Sequence, residues 1–139
     1  MITYRDMRDY KYQLLETYEV STGIYPVGPA IVTDYIELSR EGVLKIRFGY
    51  CWDGPSGPAI DTKNFMRGSL VHDALYQLIR MGFLPKDKKT PADRALVRIC
   101  KEDGMSSLRA GWVFATVQAF GGLSTMPRKQ DRPVAMTAP

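Results

Sequence analysis

The sequence predicts one α+β domain in which antiparallel β-strands with a hairpin come first and three α-helices follow. Its 139 residues, 45% of them hydrophobic, suit one domain with a single sizeable core. Alternation typical of strands is confined to the first half of the chain, and apolar residues at helical spacing fill the second. Strands followed by helices is the order found in α+β proteins. We therefore expect an antiparallel sheet of about three strands packed against three helices.

Three segments of the first half have the composition and alternation of strands. Residues 12–20 and 30–38 are rich in β-branched and aromatic side chains, and residues 43–50 alternate strictly. In the last segment the residues predicted to share one apolar face are Leu44, Ile46, Phe48 and Tyr50. Between the second and third segments, residues 39–42 (SREG) have the composition of a hairpin turn.

Three helices are predicted in the second half. They cover about residues 64–81, 91–102 and 108–120, and each is followed by glycine. At the second helix we expect Thr90 to cap, Pro91 to take the first position and Asp93 to favour the positive helix end. On the third helix, the residues expected to face the core are Trp112, Val113, Thr116, Val117 and Phe120.

Charge and chain ends narrow the class of protein. The formal net charge of +4 favours anionic partners without selecting among phospholipid, nucleic acid and acidic protein. The first residues are too polar for a signal peptide, so we expect a protein made in a cytoplasm. Residues 127–139 lack periodicity, which predicts a domain over 1–126 and a tail that is flexible unless a partner holds it. Cys51 and Cys100 are expected to be free thiols.

The only histidine, His72, lies about two turns into the first predicted helix and is followed by Asp73 and Tyr76. Tyr76 shares its helical face, so the imidazole is expected to be partly buried and hydrogen-bonded. The preceding loop, WDGPSGP, offers backbone carbonyls that Ca²⁺ accepts when a carboxylate such as Asp73 completes the site. Asp93 on the next helix is a candidate to orient the imidazole, as carboxylates do in hydrolytic dyads.

The same residues allow a structural interpretation. Trp52 would anchor the loop in the core, Asp53 and Ser56 would make turn hydrogen bonds, and His72 with Asp73 would lock the loop backbone. A different hydrolase, such as one acting on cell-wall peptide, is a third alternative. A zinc site is disfavoured because one histidine and scattered carboxylates make a poor tetrahedral set, and the chain has no serine-hydrolase elbow motif.

From Gly49 to Phe120 the chain resembles a family of unknown function from tailed phages and prophages. The resemblance is carried by GYCWDGPSGP, HDALY, ADRAL and the final AFGG. It implies a phage or prophage gene product and leaves the biochemical role open. We expect a structural or assembly component of the virion, in the tail, baseplate or head–tail region. Its partners would be other virion proteins or further copies of itself.

A shorter resemblance is to secreted phospholipase A2, in which a glycine-rich calcium loop precedes a His-Asp-x-x-Tyr helix and a later helix carries Asp-Arg. It implies a calcium-dependent ester hydrolase acting on anionic phospholipid at the host envelope. The catalytic residues would be His72 as the base, Asp93 as its orienting carboxylate and Tyr76, the tyrosine of the motif. The calcium ligands would be the Asp73 carboxylate and the carbonyls of Trp52, Gly54 and Ser56.

The chain departs from that family in its cysteines, its loop and its spacing. Leu75 and Ala92 stand where paired cysteines would flank the motifs, and prolines occupy loop positions where glycine is preferred. A tight hairpin would leave His72 and Asp93 about 10 Å apart along the helix axes. The eight-residue connection FLPKDKKT spans up to about 27 Å, so it can run back and bring the two residues level. The sequence thus allows this contact without requiring it.

Overall fold

The α+β prediction is confirmed by a computed structural model that describes residues 2–6, 12–52 and 62–124. Within these residues, short strands occupy the first part and three helices the second. The strands are β1 (Tyr4–Asp6), β2 (Tyr12–Leu14), β3 (Tyr18–Ser21), β4 (Ile31–Val32), β5 (Ile36–Leu38), β6 (Val43–Ile46) and β7 (Cys51–Trp52). The helices are α1 (Lys63–Arg80), α2 (Lys89–Glu102) and α3 (Ser107–Ser124). No strand interrupts residues 64–120.

The strands of the described residues form two antiparallel sheets, so the prediction of one sheet of about three strands is wrong. One sheet has the order β1-β2-β7 and the other the order β3-β6-β5-β4. The segment 12–20, expected to be one strand, breaks after Leu14, where the consecutive residues Leu15, Glu16 and Thr17 are all exposed. The break sends β2 and β3 into different sheets.

The segment 43–50 breaks in the same way. β6 ends at Ile46, and a turn closed by the Tyr50 N–H donating to the Arg47 carbonyl at 3.2 Å leads to β7. Gly49 in this turn has φ +94°, which favours glycine. Leu44, Ile46 and Tyr50 are buried as predicted. Phe48 is 64% exposed, so its assignment to the same face is wrong because the turn ends the alternation.

The predicted turn at residues 39–42 is confirmed as the β5–β6 hairpin. The Ser39 N–H donates to the Val43 carbonyl at 2.9 Å, and the Gly42 N–H donates to the Ser39 carbonyl at 3.0 Å. Gly42 has φ +84°, and a Cβ there would lie 3.2 Å from the Ile24 carbonyl oxygen. Glycine therefore suits this turn both by conformation and by space.

The three helices lie close to their predicted ranges, with differences at the end of α3 and the start of α2. Helix α3 continues through Gly121 and Gly122, which were expected to end it, as far as Ser124. A short 3-10 helix, Lys86–Lys88, runs directly into α2, which therefore begins at Lys89. Lys88 is the N-cap residue and makes no side-chain cap hydrogen bond. Thr90 and Pro91 lie inside the first turn and Asp93 lies beyond it. The predictions that Thr90 caps the helix, that Pro91 takes its first position and that Asp93 favours its positive end are therefore wrong.

The core lies between the sheets and the inner face of α1, and α2 packs on α1. Leu70, Val71 and Leu75 of α1 are fully buried in it. The approach of α2 depends on Gly68, because a Cβ there would lie 2.7 Å from the sulfur of Cys100. Cys100 is fully buried, and both cysteines are free, as predicted.

Helix α3 packs on α2 through only one of its faces. Val113 is buried and Val117 packs on the same cluster, as predicted. Trp112 is 47% exposed, so its predicted place in the core is wrong. Adjacent residues of a helix point in directions about 100° apart. When Val113 faces α2, Trp112 therefore points toward solvent. The side chain of Phe120 lies outside the described part. None of the described helices is long and apolar enough to cross a membrane.

Candidate active site

His72 and Asp93 are in direct contact at the interface of α1 and α2. The distance from His72 Nε2 to Asp93 Oδ1 is 2.6 Å. The geometry follows from the connection between the helices: Gly82, at φ +83°, ends α1, and the N–H groups of Phe83 and Leu84 both bond the Leu78 carbonyl. The chain then runs back through the 3-10 helix into α2, which brings the two residues level. The contact that the sequence allowed is therefore present.

Tyr76 joins this pair from the same face of α1. Its hydroxyl donates a 2.5 Å hydrogen bond to Oδ1 of Asp93, the oxygen that also contacts His72. The Tyr76 ring lies against the imidazole, with centroids 4.0 Å apart. The structure thus brings together His72, Tyr76 and Asp93, the three residues predicted as catalytic; their chemical roles stay a prediction.

The second oxygen of Asp93 has two partners that the sequence analysis missed. Lys89 Nζ lies 2.9 Å from Oδ2, and the Gln118 amide donates to the same oxygen at 2.5 Å. Lys89 precedes Asp93 by four residues, so helical spacing alone was a signal for this pair. Gln118 lies on α3, and nothing in the local sequence indicates its contact with a buried carboxylate.

Burial and hydrogen bonding set the charges of the cluster. Burial raises the pKa of Asp93, but hydrogen bonds from His72, Lys89 and Tyr76 outweigh it and bring this pKa to about 2. Burial lowers the pKa of His72; Asp93 opposes this effect, while the Lys89 charge adds to it. The pKa of Tyr76 is raised by burial and by the adjacent carboxylate. At neutral pH the cluster therefore holds an ionised Asp93, a neutral imidazole and a phenol that donates.

These charges fix the tautomer of His72. An ionised carboxylate only accepts, so Nε2 must carry the imidazole proton and Nδ1 is left as an acceptor. Across the described parts of the chain, no group makes a hydrogen bond to Nδ1. The His72 side chain is 8% exposed. The arrangement can therefore take up a proton at Nδ1 while Asp93 stabilises the resulting imidazolium.

The residues predicted to hold calcium are only partly within the described chain. Gly54 and Ser56 lie outside it, whereas Asp73 is half-buried on α1 beside His72. The Trp52 indole N–H donates to Ser69 Oγ at 3.1 Å, which fastens the end of β7 to α1 one turn before His72. Trp52 is 2% exposed, so its predicted place in the core is confirmed. The turn hydrogen bonds predicted for Asp53 and Ser56 lie outside the described residues.

The calcium site implied by the resemblance stays a prediction, because the expected ligands Gly54 and Ser56 lie outside the described residues. Among the described residues, no three His, Cys, Asp or Glu side chains converge as metal ligands. The implied site needs one carboxylate, and carbonyl oxygens of the loop would complete it. Of the four expected ligands, Trp52 and Asp73 lie within the described residues. Comparisons of the chain with models of known protein families, with curated proteins and with solved structures found no match.

Proposed function

We propose that this protein is a hydrolase in which His72 activates water for attack on an ester. The observation that carries the proposal is the 2.6 Å contact between His72 Nε2 and the buried Asp93 carboxylate, with Nδ1 left as a proton acceptor. A neutral imidazole oriented by an ionised carboxylate is the form that general-base catalysis requires. The lowered pKa of His72 supports that form at neutral pH.

The proton follows a short path in this mechanism. Water loses a proton to Nδ1 of His72 as its oxygen bonds the ester carbonyl carbon. Asp93 stabilises the imidazolium through the hydrogen bond at Nε2, and Tyr76 holds the carboxylate oxygen that makes this bond. When the tetrahedral intermediate collapses, His72 returns the proton to the departing alkoxide. The products are an acid and an alcohol, and His72 is again neutral.

The resemblance to secreted phospholipase A2 supports a calcium ion as the cofactor and an anionic phospholipid as the substrate. Asp73 would hold the ion together with the carbonyls of Trp52, Gly54 and Ser56. When bound, such an ion polarises the ester carbonyl and stabilises the developing oxyanion. The net charge of +4 is consistent with attraction to an anionic lipid surface.

The test is fatty-acid release from vesicles of anionic phospholipid, with calcium and with a chelator. We expect release by the wild type in calcium only. His72→Gln should abolish release while leaving the circular dichroism spectrum nearly unchanged, and Asp73→Lys should remove both activity and calcium dependence. Equal release with calcium and with chelator would contradict the calcium role, and no release from well-folded wild type would contradict the function.

The second candidate function is that of a structural or assembly component of a phage virion, with the polar cluster serving only to hold the helices together. The observation that favours it is the outer face of α3, where Leu108 is 89% and Trp112 47% exposed. Gly111, Ala115 and Ala119 lie on the same face and are also exposed. Another virion protein or a second copy of the chain would cover this face.

Sedimentation velocity of the wild type and of a Leu108→Ser/Trp112→Ser variant tests this second candidate. Association that is lost in the variant would support it. A monomeric wild type that also fails to bind phage virions lacking this protein would contradict it. The assay does not depend on His72, so its outcome is separate from that of the vesicle assay.

A further inference from the structure

We propose that Lys89 and Gln118 are positioning residues that hold the Asp93 carboxylate in the one orientation in which it can direct His72. The inference deepens the proposed hydrolytic function and rests on it for its catalytic consequence. Its structural part, the control of the imidazole tautomer, can be measured whether or not the protein hydrolyses an ester.

The division of donors between the two oxygens of Asp93 is the basis of this inference. Oδ1 contacts His72 and Tyr76, and Oδ2 receives Lys89 at 2.9 Å and Gln118 at 2.5 Å. An ionised carboxylate offers about four lone-pair sites, so these four donors occupy its capacity. Rotation of the carboxylate about its Cβ–Cγ bond would break bonds at both oxygens. Lys89 and Gln118 thus oppose a movement that His72 alone would not prevent.

The two residues reach Asp93 from different helices. Lys89 lies in the first turn of α2, and its Nζ also donates to the Val117 carbonyl of α3 at 3.2 Å. Gln118 is the next residue on α3, and although the residue as a whole is exposed, its amide reaches the fully buried carboxylate. The Lys89 side chain is 19% exposed, so its ammonium is largely withdrawn from water. Withdrawing a cation from water costs free energy unless an opposite charge lies next to it, and Asp93 supplies that charge.

The end of α3 is also shaped to fit this cluster. Gly121 is buried, and a Cβ at this position would overlap the Tyr76 hydroxyl and lie 3.2 Å from Cε of Lys89. The absence of a side chain there leaves room for both donors to reach Asp93. The structure therefore assigns α3 a part in the site that its sequence, with no acid or histidine, does not suggest.

The consequence for His72 concerns which ring nitrogen carries the proton. With Asp93 fixed, Nε2–H is held by Oδ1 and Nδ1 stays an acceptor. If Oδ2 loses its donors, the carboxylate can turn, the bond to Nε2 weakens and the Nδ1–H tautomer gains population. That tautomer cannot take a proton from water at Nδ1. A role limited to packing α3 onto α2 would not change the tautomer.

The test uses the chain's single histidine, whose ring nitrogens give unambiguous ¹⁵N signals in the full-length protein. Spectra are recorded at about pH 8, above the usual histidine pKa. We expect the wild type to show the Nε2–H form. Lys89→Met and Gln118→Ala should each shift both signals toward a mixture, and Lys89→Arg, which keeps a charged donor, should restore the wild-type pattern. Lys101→Met is the matched control, because Lys101 is exposed on the same helix and has no ion-pair partner within the described residues.

The vesicle assay gives the second measurement. We expect kcat to fall roughly 10- to 100-fold in Lys89→Met and Gln118→Ala, since small displacements of catalytic groups have effects of this size, with KM within about twofold of wild type. Wild-type ¹⁵N signals in both variants would overturn the inference. Gln118→Ala changes an exposed residue, so it decides the question if Lys89→Met fails to fold. An inactive wild type with the expected ¹⁵N shifts would contradict the hydrolase and leave the tautomer control standing.

Discussion

Gly68 on α1 faces Cys100 on α2 so closely that a Cβ on the glycine would lie 2.7 Å from the cysteine sulfur. The backbone carbonyl of Leu96 would be 3.2 Å from the same Cβ, so the contact cannot be relieved by a side chain alone. The separation of α1 and α2 at this crossing is thus set by the missing side chain. His72 lies one helical turn further along α1, where this separation decides its distance from Asp93.

We predict that Gly68→Ala lowers the free energy of unfolding by about 1–2 kcal/mol. Overpacking of this kind costs about 1–3 kcal/mol, and the higher helix propensity of alanine returns part of it. The measurement is urea denaturation. Gly111→Ala is the control: no atom would lie within 4 Å of its Cβ, so this variant should be as stable as the wild type or more stable. Equal stability of the two variants would contradict the close packing of α1 on α2.

The hydroxyl of Tyr76 can be removed without removing its ring. Tyr76→Phe deletes the donor to Oδ1 of Asp93 and keeps the packing against His72. We expect a loss of about 1.5–3 kcal/mol in the free energy of unfolding, the usual range for a hydrogen bond to a charged group. Tyr25→Phe, at a residue that is 54% exposed, should change it little. An unchanged free energy of unfolding in Tyr76→Phe would mean that Asp93 does not depend on this donor.

The carboxyl of Asp93 should stay ionised in acid. Its pKa in the folded protein is lowered from 3.8 to about 2, so the folded state binds this proton less readily than the unfolded state. The resulting stabilisation, about 2 kcal/mol, is fully present above pH 3.8 and is lost as the pH falls toward about 2. The measurement is the pH dependence of the Asp93 carboxyl ¹³C shift. A midpoint at or above 3.8 would contradict the hydrogen-bonded environment described for this residue.

Substitution should destabilise the protein at only one of two adjacent residues of α3. Val113 is 2% exposed, so Val113→Ala should cost roughly 2 kcal/mol of stability through lost burial and the cavity it leaves. Trp112 is 47% exposed, so Trp112→Ser should change the free energy of unfolding by less than about 0.5 kcal/mol. Thermal denaturation of the two variants at low protein concentration measures both effects. A larger loss from Trp112→Ser would show that its exposed face is covered in solution.

Most of the helical half was predictable because its signals are local. Apolar periodicity placed all three helices within a few residues, and the glycines after α1 and α2 marked where those two end. Gly121 and Gly122 lie inside α3 and did not mark its end. The sheets were harder, because the break after Leu14 and the turn at Gly49 depend on how strands pair across the chain, which alternation does not encode. Trp112 was wrongly assigned to the core because the predicted apolar face of α3 was one residue too wide and so included a surface position.

In the candidate site, too, the local contacts were predictable from the sequence and the long-range contacts were not. His72, Asp73 and Tyr76 form a local motif, and their shared environment follows from helical spacing. Contact with Asp93 required the connection between α1 and α2 to run back along α1. The length of that connection permitted this path, and the residues after Gly82 determine it. The contact of Lys89 with Asp93 could have been predicted from helical spacing, in the same way as the shared face of His72 and Tyr76. The contact of Gln118 could not, since only the packing of α3 brings an exposed glutamine to a buried carboxylate.

The burial of Cys100 between α1 and α2 makes this thiol a reporter of motion. Burial raises the pKa of Cys100 to about 12, so little thiolate exists at neutral pH and alkylating reagents can reach the sulfur only when the helices separate. Cys51, on β7, is half-buried and gives an internal reference in the same chain. The rate at which Cys100 is labelled therefore measures how often α1 and α2 separate, and with them the contact between His72 and Asp93.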